Sequence, residues 1–410
     1  MQRVAQDWLV LTVLSRDSGV AVGITTGLQF APILLLAPVA GAVADRYDRR
    51  RVLMVTQAVS AVLAVVLGGL VLTEMAQLWH VYVLAALLGA VGAMDGPARH
   101  AFVSEVVQPE DLANAVGLNT ASFHAGRLLG PAVAGLCIEG FGTGLVFLLN
   151  AASFLVALAC LSRIRVADLR PVIRTPGRGG ARAGLAYVRR RPDIIMIMVI
   201  IGMVGTFGLN FQLTTALMAR LEFHQEAQAY GLLGSVMAVG SITGALLAAR
   251  RERPTVRLVI VSTLVFGAVA SVAALMPNYT LFAVALVPTG LAALTLMTAA
   301  NAAVQLATPA EMRGRVMALY MAIFMGGTPL GAPFVGWVGE RFGAPWSILQ
   351  GGIIAMLTAL VALVWERRCR RRPVDRPPVP SDVARSVPRP TGSVVKDRTF
   401  AADPIAERSG

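Results

Sequence analysis

Residues 41–54 read Gly-Ala-Val-Ala-Asp-Arg-Tyr-Asp-Arg-Arg-Arg-Val-Leu-Met, a knot of charge between two long apolar stretches, 20–44 and 52–73. At about 1.5 Å per helical residue, each stretch is long enough to cross a hydrocarbon layer about 30 Å thick. The knot therefore reads as a short polar turn between two membrane-spanning helices.

Composition agrees with that reading. The chain is 56% hydrophobic and only 14% charged, with a mean hydropathy of +0.68, more apolar surface than a water-soluble core can hide. The formal charge of +13 does not indicate nucleic acid, because the basic residues sit in gaps between apolar runs and not on one folded polar face. Three cysteines, Cys137, Cys160 and Cys369, have no metal-ligand spacing, so no metal and no cofactor is expected.

Working outward from the knot, apolar runs fall at 4–14, 20–44, 52–73, 79–97, 112–137, 143–162, 193–219, 228–249, 256–276, 279–304, 316–338 and 344–365. The first is too short to span alone, so helix one is expected to be truncated and its true start to lie upstream. Arginines orient the bundle, since cytoplasmic loops keep positive charge. Twenty of them fall on the side of the knot, while Arg16, Arg220 and Arg341 fall on the other. The expectation is a multi-pass protein of the cell inner (plasma) membrane with both termini cytoplasmic.

The longest internal loop, 163–192, divides the spans into two sets of six. The domains expected are a six-helix bundle over 1–162, a cytoplasmic linker over 163–192, a second bundle over 193–365 and a disordered basic, Pro-rich tail over 366–410. Within the linker, Ala183, Leu185, Ala186 and Val188 among arginines suggest an amphipathic surface helix. The sets also resemble each other. Residues 109–143 align on 309–344 with one insertion: Pro109, Val116 and Gly126 meet Pro309, Val316 and Gly326, and beyond the insertion Gly130, Gly135, Glu139, Phe141 and Gly142 meet Gly331, Gly336, Glu340, Phe342 and Gly343. A duplication of six helices per half implies a binding site where the halves meet.

Two motifs carry a family resemblance. Gly41-x-x-x-Asp45-Arg46-x-Asp48-Arg49-Arg50 resembles the loop between helices two and three of the major facilitator superfamily, departing from it at Asp48, where glycine is commoner. On helix five, Gly117, Gly126, Gly130, Pro131 and Gly135 are spaced like the antiporter motif of that superfamily's exporters; small residues at this spacing also serve ordinary close packing. Helix four lacks the arginine common in proton-coupled drug exporters. Instead Asp95-Gly96-Pro97-Ala98-Arg99, Gln6-Asp7-Trp8 and Arg313-Gly314-Arg315-Val316-Met317 resemble the branch that contains the enterobactin exporter and the macrolide efflux proteins. The resemblance covers nearly the whole membrane part. It implies an all-α major facilitator fold of two pseudo-symmetric six-helix bundles, with Gly41, Asp45, Arg46, Arg49 and Arg50 forming a gating loop and Asp45 latching the halves.

Charge inside hydrocarbon is costly enough to suggest function by default. Asp7 and Arg127 meet that criterion, and Asp7 is expected to accept a proton or a cationic group, with Arg127 as its partner. Asn119, Asn150, Asn210, Gln212, Asn301 and Gln305 are further cavity candidates, although hydrogen bonding between helices is the commoner duty of such residues. The function expected is secondary export of an amphipathic small molecule such as a drug, antibiotic or siderophore, coupled to protons, since the chain has no phosphate-binding Gly-x-x-x-x-Gly-Lys-Ser/Thr loop. The expected partners are that substrate, protons and the lipid bilayer, with no nucleic acid, and the chain is expected to act as a monomer. Paired carboxylates and Ser-His-Asp groupings are missing, so an enzyme is not expected. An importer of the same fold and a truncated, non-transporting membrane protein are the alternatives.

Overall fold

A computed structural model of the chain describes residues 1–165, 169, 181–249 and 255–371; the 366–410 tail therefore lies mostly outside the described residues, as does much of the 163–192 linker. Every regular element described is helical: α1 (Gln2–Leu9, continued by a π turn at Val10–Leu14), α2 (Gly19–Arg46), α3 (Arg49–Leu72), α4 (Leu78–Val106), α5 (Leu112–Arg163), α6 (Ala181–Arg189), α7 (Pro192–Met203), α8 (Phe211–Leu217), α9 (Ala227–Ala249), α10 (Val256–Ala274), α11 (Tyr279–Ala307), α12 (Ala310–Gly326), α13 (Thr328–Phe342) and α14 (Ala344–Arg371). Ten helical stretches among the described residues are long and apolar enough to cross a membrane. One of them, Gly117–Arg163, holds two passes, because Gly142 at φ 75°, a backbone region that suits glycine, breaks α5. That makes eleven, to which α1 adds a twelfth, shorter helix, and the protein is a multi-pass membrane protein.

Polar caps mark the ends of the passes. Ser18 and Asp48 accept hydrogen bonds from the Ala21 and Arg51 amides, starting α2 and α3, and Thr255 and Asn278 do the same for α10 and α11. Each cap satisfies a donor that the first helical turn leaves open. The outer surface stays apolar: Leu35, Val62, Leu118, Val156, Val284 and Val361 are all exposed, as a lipid-facing wall requires.

The two sets of six repeat each other in backbone geometry. The π turn at Val10–Leu14 recurs at Met218–Glu222. Arg16 at φ 52° recurs as His224 at φ 51°. The amide bonds Ser15 N to Val10 O and Asp17 N to Leu11 O recur as Phe223 N to Met218 O and Gln225 N to Ala219 O. Gly142 and Gly343, which the sequence alignment pairs, are the positive-φ glycines among the described residues.

Small residues fix how the sets join. Along α2, Gly19, Gly23 and Gly27 face Gly336, Ala332 and Pro329 of α13; a methyl added to Gly23 would lie 2.5 Å from the Ala332 carbonyl oxygen. The pseudo-equivalent seam joins α5 to α9, where Gly135 meets Ala227 and Gly231, and Gly231 meets the Pro131 carbonyl. Pro131 lacks a backbone donor and loosens α5 here. Ser235 of α9 bridges the next rung, its hydroxyl donating to the Leu128 carbonyl and accepting from the Ala132 amide. Both seams lie toward the end of the bundle that carries the turns near residues 16–18 and 223–226. Toward the opposite end, Gly117 and Gly126 of α5 have nothing within 4 Å. The described seams thus join the sets toward one end, while toward the other this stretch of α5 has no neighbour at its glycines among the described residues.

Candidate functional site

Above the closed seams lies a cavity of about 290 Å³ whose lining comes from both sets of passes. The first set supplies Arg3, Thr26, Phe30 and Arg127; the last set supplies Gly205, Leu209, Asn210 and residues of α8, α9, α11, α12 and α13, including Gln212, Phe211, Met237, Ser241, Met297 and Phe324. The arrangement is an apolar and aromatic wall with a few polar groups and two guanidinium groups, the general make-up of a small-molecule site. A second cavity of about 280 Å³ shares Arg3 and Phe30 and is completed by Gln29, Gln57, Ser60, Asp95, Arg99 and side chains of α4.

Asp7 sits directly behind this region. It is fully buried, and neither of its carboxylate oxygens has a hydrogen-bond partner. Arg3 is the cation whose field acts on it, and Arg3 in turn acts on Arg127. The next residue, Trp8, stacks on Tyr230 of α9 at 5.7 Å, and the Tyr230 hydroxyl donates to the Gln212 carbonyl at 3.2 Å. The short first pass is therefore tied to the opposite set next to its buried acid.

The candidates from sequence divide into three groups. Arg127, Asn210 and Gln212 line the central cavity. Asn150 instead donates to Gln2 at 2.7 Å, tying the second limb of α5 to α1, and Gln305 donates to Asn301 at 2.6 Å one turn away on α11. Asn119 lies half-buried on the first limb of α5, outside the lining of either cavity.

In the antiporter-type motif, Pro131 and Gly135 pack on α9, Gly130 approaches the Met1 backbone nitrogen, and Gly117 and Gly126 face open space. Of the gating-loop residues, Gly41 and Asp45 fall in the last turns of α2 and their side-chain surroundings lie outside the described residues; Arg46 is exposed. Arg49 makes a buried ion pair with Glu105 of α4 at 2.7 Å. Arg50 donates to the Leu161 and Ser162 carbonyls at the end of α5, where unpaired carbonyls and the helix dipole favour a cation. These two arginines bind the first set to itself.

Sequence reasoning passed over two charged residues. Arg3 stood one residue outside the first apolar run and looked like a flank, yet its guanidinium lies over the Phe30 ring at 4.8 Å and borders both cavities. In the sequence, Asp95 is visible only as part of a motif. It accepts from Thr56 at 2.8 Å and Gln57 at 2.9 Å and pairs with Arg99 at 2.9 Å, so its charge is fully met within the first set. The spacing of Asp95 and Arg99, one helical turn apart, was the available signal. In the linker, α6 forms as the arginine pattern suggests; Gly184 lies against Arg315 of α12 and Val188 is buried, while Leu185 points outward.

A family model described as transmembrane secretion effector matches residues 1–390. Among characterised relatives, the multidrug efflux pump Tap of Mycolicibacterium fortuitum is 26% identical over 378 residues, covering 89% of this chain and 91% of the pump. The enterobactin exporter EntS of Citrobacter koseri is 25% identical, covering 88% of this chain and 86% of the exporter. Among solved structures, the nucleoside transporter NupG superposes with a TM-score of 0.72 at 12% identity, covering 88% of this chain and 94% of NupG. An inward-facing bacterial homologue of the lysosomal transporter Spinster gives 0.65 at 17% identity, covering 88% and 92%. At these identities the two structures speak for the fold alone.

Proposed function

Because the chain belongs to the transmembrane secretion effector family of major facilitator transporters, we propose that it exports an amphipathic small molecule by alternating access, driven by a proton gradient. The observation that carries the reading is the cavity lined by both six-helix sets, with the α2–α13 and α5–α9 seams joining the sets beneath it. Rocking one set against the other about such a site would expose it to each side in turn. Twenty arginines against three support placing the end away from the seams at the cytoplasm, which would make this conformation the one that loads. The efflux pump and siderophore exporter among the relatives support the outward direction.

Asp7 is the residue proposed to carry the proton. A buried carboxylate without hydrogen-bond partners at membrane depth costs much more ionised than neutral, and its place behind the cavity lets the conformational change alter its access to water. In vesicles of known orientation, the parent protein is expected to move substrate from the cytoplasmic face outward when a proton gradient is imposed, and Asp7→Asn is expected to lose that dependence. Flux in the opposite direction, or gradient-driven flux undiminished in Asp7→Asn, would reject the mechanism.

A further inference from the structure

We infer that the central cavity takes an amphipathic organic anion, its acidic headgroup held by Arg3 and Arg127 and its apolar or aromatic body against the wall built by the last six passes. This inference names the substrate class for the transport proposed above and rests on that reading.

The charge of the lining makes the argument. Arg3 and Arg127 are charged, and no aspartate or glutamate lines the cavity. Neither arginine enters an ion pair among the described residues, and Nε of Arg3 is buried without a hydrogen-bond partner. Arginines elsewhere in the bundle are engaged: Arg49 by Glu105, Arg99 by Asp95, Arg191 by Asp193 and Arg220 by Asp17. Two guanidinium groups facing one membrane cavity repel each other, and each pays for leaving water. A carboxylate, sulfonate or phenolate placed between them relieves both costs at once. Guanidinium suits this task because its planar fork of donors matches a planar acid group. Phe30 beneath Arg3 at 4.8 Å holds the fork in place through a cation–π contact.

The remainder of the lining fits the body of such a molecule. Phe211, Phe324, Leu294, Met237, Met297 and Met325 form an apolar wall, with methionines able to follow different shapes. Asp7 does not replace the missing anion. It lies outside the lining, and its oxygens have no hydrogen-bond partner. An ionised Asp7 therefore competes with the substrate for Arg3, and a cationic substrate would meet two like charges before it met the acid.

The test is equilibrium binding to the purified full-length chain in neutral phosphatidylcholine nanodiscs, which keep anionic lipid away from the same arginines. Three fluorescent probes share one body and differ in charge: dansyl-4-aminobutyrate, its carboxamide and dansylcadaverine. The acid is expected to bind at least tenfold more tightly than the amide, and the amine more weakly than either. Arg127→Gln and Arg3→Gln should each weaken the acid about tenfold and change the amide less than twofold; two variants guard against one failing to fold, which gel filtration checks. Asp7→Asn should bind the acid at least as tightly as the parent, and more tightly at a pH where Asp7 is ionised and competes for Arg3. Equal binding of the three probes, binding of none, preference for the amine, or weaker acid binding by Asp7→Asn overturns the inference. No gradient is present, so selective acid binding alongside absent or inward vesicle flux would fail the export reading alone, and outward flux with no charge preference would fail this one alone.

Discussion

At the closed end of the bundle, polar contacts cross from one set of six passes to the other; at the opposite end, the contacts of Arg49 with Glu105 and of Arg50, Arg191 and Arg313 with helix carbonyls lie inside a set. Arg220 reaches Asp17 at 3.2 Å, and Glu340 accepts from the Ser18 hydroxyl at 2.8 Å and the Val20 amide at 3.1 Å. Each of these contacts joins the first set to the last. At the other end, Arg49 and Arg50 bind α3 to α4 and α5, while Arg191 donates to the Ala307 carbonyl and Arg313 to the Gln305 carbonyl within the last set. Under the alternating-access reading proposed above, the difference separates two tasks: the closed end acts as the joint, and the arginine contacts at the opposite end brace each set from within.

Removing a brace should do the most damage. Arg49 and Glu105 pair at 2.7 Å with side chains only 9% and 12% exposed, and deleting one partner of a buried pair leaves an uncompensated charge that costs about 3–5 kcal/mol. Arg49→Ala should lower the melting temperature of the purified protein sharply, and adding Glu105→Ala should recover part of the loss. A single variant that melts like the parent would mean that the opposite end is not braced there.

Overpacking the joint comes next. A leucine at Gly231 would drive its Cβ into the Pro131 carbonyl, and strain of this kind costs about 1–3 kcal/mol. Gly231→Leu should melt earlier and also expose the closed end, read as faster labelling of a cysteine placed at Asp17. Unchanged labelling would show that the α5–α9 seam does not hold this end shut.

The fold was readable from sequence because bilayer thickness imposes a length on each span; eleven of the twelve runs reappear in helices long enough to cross, and the first reappears as the shorter α1 with its π turn. The pairing of Gly142 with Gly343 was also readable, since a positive φ at both positions preserves the glycine. The repeat of the 10–17 region in 218–225 was not, because a π turn is a backbone arrangement that Val-Leu-Thr-Val-Leu and Met-Ala-Arg-Leu-Glu both satisfy. Site residues were the harder part. Arg127, Asn210 and Gln212 stood out as polar groups inside apolar runs, whereas Arg3 bordered a run too short to reveal its depth. Asn150 and Gln305 have the same polar signature but spend it on a neighbouring side chain, which spacing alone does not distinguish.

A smaller effect is expected at the rung that Ser235 bridges. Ser235→Ala removes the hydroxyl that serves both the Leu128 carbonyl and the Ala132 amide, and leaving buried backbone groups less well satisfied costs about 1–3 kcal/mol, toward the low end where the helix rung itself remains. Thermal unfolding of the variant should shift down by a few degrees with the acid-probe affinity retained. Loss of probe binding without a change in melting would place Ser235 in the site and not in the seam.

The smallest change gives the sharpest comparison, because it is made twice on one helix. Gly126 has nothing within 4 Å, whereas a methyl on Gly135 would lie 2.6 Å from the Ala227 carbonyl oxygen. Alanine is favoured over glycine inside a helix by about 0.8–1 kcal/mol, so Gly126→Ala should raise stability slightly and Gly135→Ala should lower it. Transport should respond differently. If the opposite end closes by bringing this face of α5 against its neighbour, as Gly135 now meets α9, the added methyl at Gly126 obstructs the later state without touching the present one. Gly126→Ala should then melt no earlier than the parent, bind the acid probe normally and yet export more slowly. Normal export by Gly126→Ala, or an equal loss of stability in both variants, would break the distinction between a packed half of α5 and a half that awaits packing.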